Sequence, residues 1–237
     1  MTILEIQTAL QRQGFDPGAL DGEWGRRTIS AVKAFQQARG LTVDGIAGPQ
    51  TIAALGGNGA ARPGAGSAPA PTAGPLVWFE EARRLVGTQE KLGAGSNETI
   101  IHWAKSCNID YKSDDIPWCG LFVAHCVAAT LPEEPLPSSP LMARSWGKFG
   151  KKSDPVEGAV LVFWRESPTA STGHVGFYRG EDDDAYHVLG GNQSDSVNTC
   201  RIGKDRLLHA RWPTTAASLT GRKVVAKGSG DLSHNEA

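Results

Sequence analysis

The stretch Asp115-Ile116-Pro117-Trp118-Cys119-Gly120-Leu121-Phe122-Val123-Ala124-His125-Cys126 opens a nearly all-apolar run of the chain. The run ends at Pro132, so it predicts a buried helix over 117–131. Proline suits the first turn of a helix, where its missing N–H has no helical partner to lose. Asp114 and Asp115 are the candidate caps for this helix start.

Cys119 then lies in the first turn of the predicted helix. Unpaired backbone N–H groups and the positive end of the helix dipole favour a thiolate there, placed to attack a carbonyl carbon. The alternative is that Cys119 is a small buried core residue, as most free cysteines are. Cys126, two turns deeper on about the same face, is predicted to be core. His125 projects about 100° away from Cys126, which disfavours a metal site built from these residues and Cys119.

A thiolate nucleophile requires an acid–base partner, and His174 is the first candidate. It opens a predicted strand in Gly173-His174-Val175-Gly176-Phe177-Tyr178, between small residues that leave its ring accessible. The alternative is a surface or packing histidine. His187 is a weaker candidate base, because alternation along its strand directs it to the face opposite Asn192.

A third polar side chain is expected where the strand over 186–189 runs into 190–195. Asn192 is the first choice to hydrogen-bond the far imidazole nitrogen and fix its tautomer, and Asp195 is the second. Glu90 either lines the cleft, caps a loop or is a solvated charge. The acidic run over 181–184 is interpreted as a solvated turn, with a calcium site as the alternative.

The order of the predicted elements indicates the fold class. Helical patterns come first and strands follow, with helices over 76–86, 99–105 and 117–131 and strands over 159–164, 174–178 and 186–189. Helices followed by strands favour an α+β fold with an antiparallel sheet.

These motifs together resemble the CHAP and NlpC-type peptidoglycan hydrolases over residues 76–213. The shared order is P-W-C at a helix start, G-H-V-G-F-Y on a strand and V-L-G-G-N-Q-S on the next strand. A-R-S-W at 143–146 and P-x-x-G at 155–158 also fit. Gly120 departs from the usual serine and Ala159 from the usual aspartate, which leaves the local geometry there open.

The resemblance implies a papain-like fold and a catalytic triad of Cys119, His174 and Asn192, with no cofactor and no metal. It assigns Trp118 to substrate binding. The implied reaction is acyl transfer: the thiolate attacks an amide of the peptide stem of peptidoglycan, and the backbone N–H of Cys119 stabilises the oxyanion. His174 takes the thiol proton during the attack, or the two side chains rest as an ion pair.

The first 55 residues contain an internal repeat. Asp-Gly-x-x-Gly-x-x-Thr begins at Asp21 and again at Asp44, and each copy leads into a helical pattern. With a further helix over 3–13, the segment predicts a three-helix miniature domain in which Thr28 and Thr51 are candidate N-caps. It resembles the peptidoglycan-binding domain family, which implies anchoring to the cell wall. Trp24 is interpreted either as a sugar-stacking surface or as core.

Composition separates the two predicted domains, 1–55 and 76–213. Sixteen of the twenty residues over 56–75 are Gly, Ala or Pro, which predicts an interdomain linker. The polar segment 214–237 is predicted to be a disordered tail. A net charge of −1 disfavours nucleic-acid binding through bulk charge. We expect no membrane insertion, since no run approaches the ~18 apolar residues of a membrane span. We also expect a monomer.

The implied function is a peptidoglycan hydrolase, with an endopeptidase favoured over an N-acetylmuramoyl-L-alanine amidase using the same triad. A non-catalytic virion protein that binds the wall is the alternative from another class. A glycosidase lacks a supporting pair of carboxylates, and a zinc peptidase lacks H-E-x-x-H. The N-terminus carries no basic and apolar signal-peptide pattern. The expectation is therefore a phage-type endolysin, held in the host cytoplasm until a holin releases it, or a virion-associated lysin. A type-six toxin and a gene-transfer particle enzyme are the further alternatives.

Overall fold

The computed structural model describes residues 1–22, 24–41, 43, 45, 47–56, 76–91, 93–216, 222–226 and 231–233. The chain divides into two compact units, Met1–Thr72 and Ala73–Ala237. Apart from Gly56, the predicted linker over 56–75 lies outside the described residues. None of the described helices has the length and apolar character needed to cross a membrane.

The first unit contains the three predicted helices, α1 (Ile3–Arg12), α2 (Arg26–Ala38) and α3 (Pro49–Gly56). A capping box starts α1, in which the Thr2 and Glu5 side chains each accept from the other residue's backbone N–H. The helices share one apolar core, built from Ile6, Leu10, Ala31, Val32, Phe35 and Leu55. Trp24 is half-buried and packs against this core. The three-helix prediction is confirmed.

A buried glutamine in α1 holds the first Asp-Gly turn. The Gln7 amide nitrogen donates to Asp21 Oδ1 at 2.8 Å and to Thr28 Oγ1 at 3.1 Å. Its Oε1 accepts from the backbone N–H of Gly22 at 2.8 Å. Gly22 has φ +75°, a left-handed conformation that favours glycine.

Gln36 in α2 repeats this arrangement at the second turn. Its amide nitrogen donates to Thr51 Oγ1 at 3.1 Å, and its Oε1 accepts from the backbone N–H of Gly45 at 2.8 Å. The N-cap prediction for Thr28 and Thr51 is wrong, because α2 and α3 begin two residues earlier. Both threonines are buried members of the glutamine contacts instead.

The second unit packs helices against an antiparallel sheet, which confirms the predicted α+β class. Its described elements are α4 (Val77–Arg84), α5 (Glu98–Ser106), α6 (Cys119–Thr130), two 3-10 helices (Ala143–Lys148 and Lys204–Arg206), β1 (Lys151–Lys152), β2 (Val160–Trp164), β3 (Gly173–Glu181), β4 (Ala185–Gly190), β5 (Asn198–Gly203) and β6 (Leu207–Trp212). The strand order is β1-β6-β2-β3-β4-β5, with every neighbour antiparallel. Strands β1, β5 and β6 have no counterpart among the strands predicted from the sequence.

The central helix α6 is buried along its whole length and packs against α4, α5 and β3. It begins at Cys119 rather than at Pro117, and Trp118 is its N-cap residue. The capping role predicted for Asp114 and Asp115 is wrong, because no side chain caps the start of α6. The Asp114 carboxylate accepts from the backbone N–H groups of Lys91 at 3.1 Å and Asn97 at 2.8 Å, and so closes the loop between α4 and α5.

Several described residues of the predicted tail pair with the second unit. Glu181, at the end of β3, exchanges backbone hydrogen bonds with Val224 and Ala226, both at 2.8 Å. The Ser233 N–H donates to the carbonyl of Arg201 in β5 at 2.7 Å. These contacts tie the described residues of this segment to β3 and β5.

Candidate active site

Cys119 lies where the start of α6 meets strand β3. Its side chain is buried, and the backbone N–H groups of Val175 and Gly120 lie near enough to its sulfur to lower the pKa of the thiol. Val175 directly follows His174 in β3. The fold therefore brings the predicted nucleophile to the strand that carries the predicted base.

Burial raises the pKa of the Cys119 thiol above its ordinary value. The hydrogen bonds from Val175 and Gly120 and the positive charge of Arg165 lower that pKa by less than burial raises it. The net direction is opposite to the one expected from the helix terminus alone. The resting sulfur is thus a thiol that must lose its proton before it can attack.

Gly120 has a steric reason to replace the serine usual in the resembling family. A Cβ on Gly120 would lie 2.8 Å from the carbonyl oxygen of Leu141 and closer still to that of Pro140. The segment before the first 3-10 helix therefore approaches α6 directly beside the nucleophile. Only glycine permits that approach without a shift of the backbone.

His174 is fully buried in β3, opposite Phe163 of β2. Its Nε2 lies 3.0 Å from the side-chain Oε1 of Gln193. The structure therefore puts Gln193, and not the predicted Asn192, in hydrogen-bond contact with the far imidazole nitrogen. Asp195, the second choice, is exposed, and its carbonyl accepts from the Glu90 N–H.

The backbone after β4 explains this difference of one residue. Asn192 has φ +56°, followed by Ser194 at φ +50° and Asp195 at φ +57°, so the chain leaves the extended conformation immediately. Side chains alternate between faces only along an extended strand. The left-handed turn at Asn192 lets Gln193 face His174. The sequence signal was present in G-G-N-Q, but strand periodicity does not choose between its two amides.

Two glycines leave room for this arrangement. A Cβ on Gly190 would lie 2.7 Å from Gln193 Oε1 and 3.0 Å from His174 Nε2. A Cβ on Gly191 would lie 2.5 Å from the Trp118 ring and 2.6 Å from Phe122 Cβ. The G-G pair therefore allows the end of β4 to pack against α6 and the imidazole–amide bond to form.

The Gln193 amide has a defined orientation. Its Nε2 donates to the carbonyl oxygens of Asn198 at 2.7 Å and Val188 at 3.3 Å, and to Asn198 Oδ1 at 3.1 Å. Backbone carbonyls only accept hydrogen bonds, so the amino group must face them and Oε1 must face His174. An oxygen opposite Nε2 requires the imidazole proton on Nε2. Nδ1 then carries the lone pair of a base.

Trp118 does not have the substrate-facing position that was predicted. Its ring is fully buried in the core, and its Nε1 donates to Glu90 Oε1 at 2.7 Å. Burial raises the pKa of Glu90, and the carboxylates of Asp195 and Asp114 add to that rise against the opposing hydrogen bond from Trp118. Glu90 therefore anchors the core indole instead of standing as an isolated solvated charge.

His187, the alternative base, belongs to a separate cluster. Its Nε2 lies 2.7 Å from Asp182 Oδ2, and Arg201 donates to both oxygens of the same carboxylate. The hydrogen bonds from Arg201 and His187 hold the pKa of Asp182 far below its usual range. The acidic turn is thus tied to β5, and among the described residues no group of three or more His, Cys, Asp or Glu side chains forms a metal site.

Arg144, the arginine of A-R-S-W, holds the loop that leads into His174. Its guanidinium donates to the carbonyl oxygens of Thr172, Ser167, Pro168 and Ala170 in the β2–β3 connection. Sequence motifs marked this arginine without indicating its role. Because one guanidinium binds several carbonyl oxygens of this loop, Arg144 fixes the path of the loop toward His174.

The comparisons with known proteins concern the first unit. Residues 2–55 match the family described as "Putative peptidoglycan binding domain". The chain is 40% identical to N-acetylmuramoyl-L-alanine amidase CwlM of Mycobacterium tuberculosis over 53 residues, which are 22% of this chain and 13% of the relative. It is 43% identical to a spore cortex-lytic enzyme of Bacillus cereus over 49 residues, 21% of this chain and 19% of the relative.

The chain thus spans less than a fifth of the length of either relative. No solved structure matches it. The first unit is therefore similar to peptidoglycan-binding domains and has homology to segments of two cell-wall hydrolases.

Proposed function

We propose that this protein is a cysteine-type peptidoglycan hydrolase, with Cys119 as nucleophile, His174 as general base and acid, and Gln193 as the residue that orients the imidazole. The observation that carries the proposal is the order of the groups across three elements. The start of α6 carries Cys119, whose thiol pKa is lowered by the backbone N–H of Val175, the residue after His174 in β3; His174 Nε2 in turn lies 3.0 Å from Gln193 Oε1. Nucleophile, base and orienting group in this order are the arrangement that thiol acyl transfer requires.

The first step is attack on an amide of the peptide stem. His174 Nδ1 accepts the thiol proton as the sulfur bonds to the carbonyl carbon, since burial keeps the resting thiol protonated. The backbone N–H of Cys119 donates to the resulting oxyanion. Collapse breaks the C–N bond, the amine leaves with the proton held on Nδ1, and an acyl thioester remains on Cys119.

Water completes the cycle. Nδ1 accepts a proton from water as the water oxygen bonds to the thioester carbon, and the C–S bond then breaks. The sulfur recovers the proton, and the new carboxyl end of the stem is released. Gln193 keeps its oxygen on Nε2 throughout, which stabilises the imidazolium formed in each half of the reaction.

The wall-binding unit supports this choice of substrate, because it concentrates the hydrolase on the same polymer. We favour an endopeptidase cleaving within the stem, as the resemblance of residues 76–213 implies. Phage origin with holin-mediated release is part of the same proposal and rests on that resemblance alone.

The test is digestion of purified sacculi by the full chain, followed by mass spectrometry of the released fragments. We expect new amine and carboxyl ends within the peptide stem and loss of these products in Cys119→Ala. Cys107→Ala removes a half-buried thiol elsewhere and is the matched control. Products cut at the lactyl amide would identify an amidase instead. Release of fragments by Cys119→Ala, or cleavage of glycan bonds alone, would overturn the thiol mechanism.

A further inference from the structure

The Gln193 amide is held at both ends by residues of β5. Asn198 accepts from its Nε2 through both the backbone oxygen and Oδ1, at 2.7 and 3.1 Å. Cys200 donates its thiol proton to Oε1 at 3.0 Å, beside the contact with His174. The oxygen thus has two donors, and each hydrogen of the amino group has an acceptor.

Strand register explains why these two residues act together. Asn198 pairs with Gly190 and Cys200 with Val188, so β5 runs alongside the end of β4 that leads into Gln193. Residues two apart on a strand share one face of the sheet. Asn198 and Cys200 therefore approach the amide from the same face, one at each end.

Asn198 is itself fixed in orientation. Its Nδ2 donates to the backbone oxygen of Gln193 at 2.6 Å and to Ser196 Oγ at 2.9 Å. These contacts turn its Oδ1 toward the Gln193 amino group. Asn198 thereby holds both the backbone and the side chain of the residue it contacts.

A flipped Gln193 amide would be costly in this buried site. Its oxygen would face the carbonyls of Asn198 and Val188, and its amino group would face the Nε2 proton of His174. Several hydrogen bonds would be lost, and an unsatisfied buried group costs about 1–3 kcal/mol. Without the side chains of Asn198 and Cys200, only the backbone carbonyls of Asn198 and Val188 still hold the amino group, and the preference that keeps the amide oxygen toward His174 is weaker.

We infer that Asn198 and Cys200 are positioning residues: their side chains strengthen the orientation of the Gln193 amide, which keeps the proton of the neutral His174 ring on Nε2 and leaves Nδ1 to accept the proton of Cys119. This inference rests on the proposed function. It assigns a role to a strand that no sequence motif marked.

The experiment uses the full chain and three readouts. The maximal rate and half-saturating wall concentration are measured on purified sacculi. The rate at which iodoacetamide alkylates Cys119 is followed by peptide mass spectrometry. Nitrogen-15 chemical shifts of the His174 ring, recorded where the ring is neutral, report which nitrogen carries the proton.

Asn198→Ala removes Oδ1 and leaves the backbone oxygens of Asn198 and Val188 on the Gln193 amino group, so it should lower the maximal rate by about 2-fold to 10-fold, the value of one hydrogen bond. Half-saturation should stay unchanged, alkylation of Cys119 should slow, and the ring shifts should move toward a mixture of tautomers. Cys200→Ala should lower the rate by about 2-fold to 10-fold. Cys200→Ser, which keeps a donor, should restore it.

Thr199→Ala is the control in the same strand, because it removes an exposed hydrogen bond with Arg179. It should change none of the readouts. If Asn198→Ala does not fold, the Cys200→Ala and Cys200→Ser pair decides. Wild-type ring shifts and alkylation rates in folded Asn198→Ala and Cys200→Ala would overturn the positioning role. Lysis by Cys119→Ala would instead overturn the proposed function, and the ring shifts would still test the tautomer.

Discussion

Gln36 in the first unit and Gln193 in the second are buried to almost the same extent, with 1% and 2% of their surface exposed. Each uses both ends of its amide. Gln36 bridges a threonine hydroxyl and a glycine N–H, whereas Gln193 bridges strand carbonyls and an imidazole nitrogen. The same chemistry thus fixes a turn in one unit and the base of the candidate site in the other. The role of a buried polar side chain therefore depends on the group to which it is hydrogen-bonded.

The largest expected effect concerns Gln193. Gln193→Leu removes the acceptor opposite His174 Nε2, so the imidazole loses its fixed tautomer. We expect the maximal lysis rate to fall about 1,000-fold, in line with the loss of an orienting residue in other triads. Binding of the variant to sacculi should stay unchanged, because the first unit, to which wall binding is proposed, is untouched. Lysis at the wild-type rate by a folded Gln193→Leu protein would mean that Gln193, like Gln36, has only a structural role.

Gly120 tests whether packing beside the nucleophile is as tight as the carbonyl approach indicates. Gly120→Ala puts a Cβ 2.8 Å from the Leu141 oxygen, and overpacking of this kind costs about 3 kcal/mol. We expect a lower unfolding temperature of the second unit by calorimetry. Gly48→Ala is the control, because nothing lies within 4 Å of its Cβ position. Equal unfolding temperatures for Gly120→Ala and the wild type would contradict the close approach.

The buried glutamines of the first unit should affect stability without affecting chemistry. Gln36→Leu leaves the Gly45 N–H and the Thr51 hydroxyl without this partner, and we expect a loss of about 2 kcal/mol. This loss of stability should appear as faster hydrogen exchange over residues 1–56, measured by mass spectrometry. Gln37→Leu changes the next residue, which is exposed, and should exchange like the wild type. A changed alkylation rate of Cys119 in Gln36→Leu would contradict the prediction that Gln36 affects only the stability of the first unit.

How much the sequence predicted also differs between the two units. The repeated Asp-Gly turns predicted the three helices, because turns and helix ends follow from local residue types. In the second unit the apolar runs predicted α6, β2, β3 and β4. Strand β5 was missed, because N-T-C-R-I-G is largely polar and has no clear alternation. The contacts of Asn198 and Cys200 with Gln193 depend on pairing across strands, which no local pattern specifies.

The third member of the candidate site shows the same limit at one residue. Strand periodicity predicted the segment after β4 correctly, but three left-handed residues follow Gly191 and shift the facing side chain from Asn192 to Gln193. Asn and Asp tolerate that conformation without requiring it. The sequence therefore restricted the choice to a few neighbouring polar residues, and the backbone conformation decided among them.

The smallest expected effect concerns Glu81, a buried charged residue of the second unit that we expect to affect stability but not activity. Burial alone would raise the pKa of Glu81, but the hydrogen bonds from Arg84 and the His125 ring nitrogen 3.4 Å from the carboxylate lower it to about 2. Because this pKa lies below its ordinary value of 4.5, the stabilising contribution is complete above that pH and is lost as the pH falls toward 2. We expect a loss of about 1 kcal/mol between pH 5 and 3.5, measured by thermal unfolding.

Glu81→Gln is the control for this titration, since it keeps the shape of the side chain and removes the ionisable group. The variant should be less stable than the wild type at pH 5, and the difference should shrink toward pH 3.5. Activity relative to the folded fraction should be the same in both proteins. The partners of Glu81 are Arg84 in α4 and His125 in α6, and His125 lies more than one turn of α6 beyond Cys119. An equal stability difference at both pH values would mean that Glu81 is not ionised in the fold. The buried cluster would then be held by neutral hydrogen bonds, as the glutamines of the first unit are.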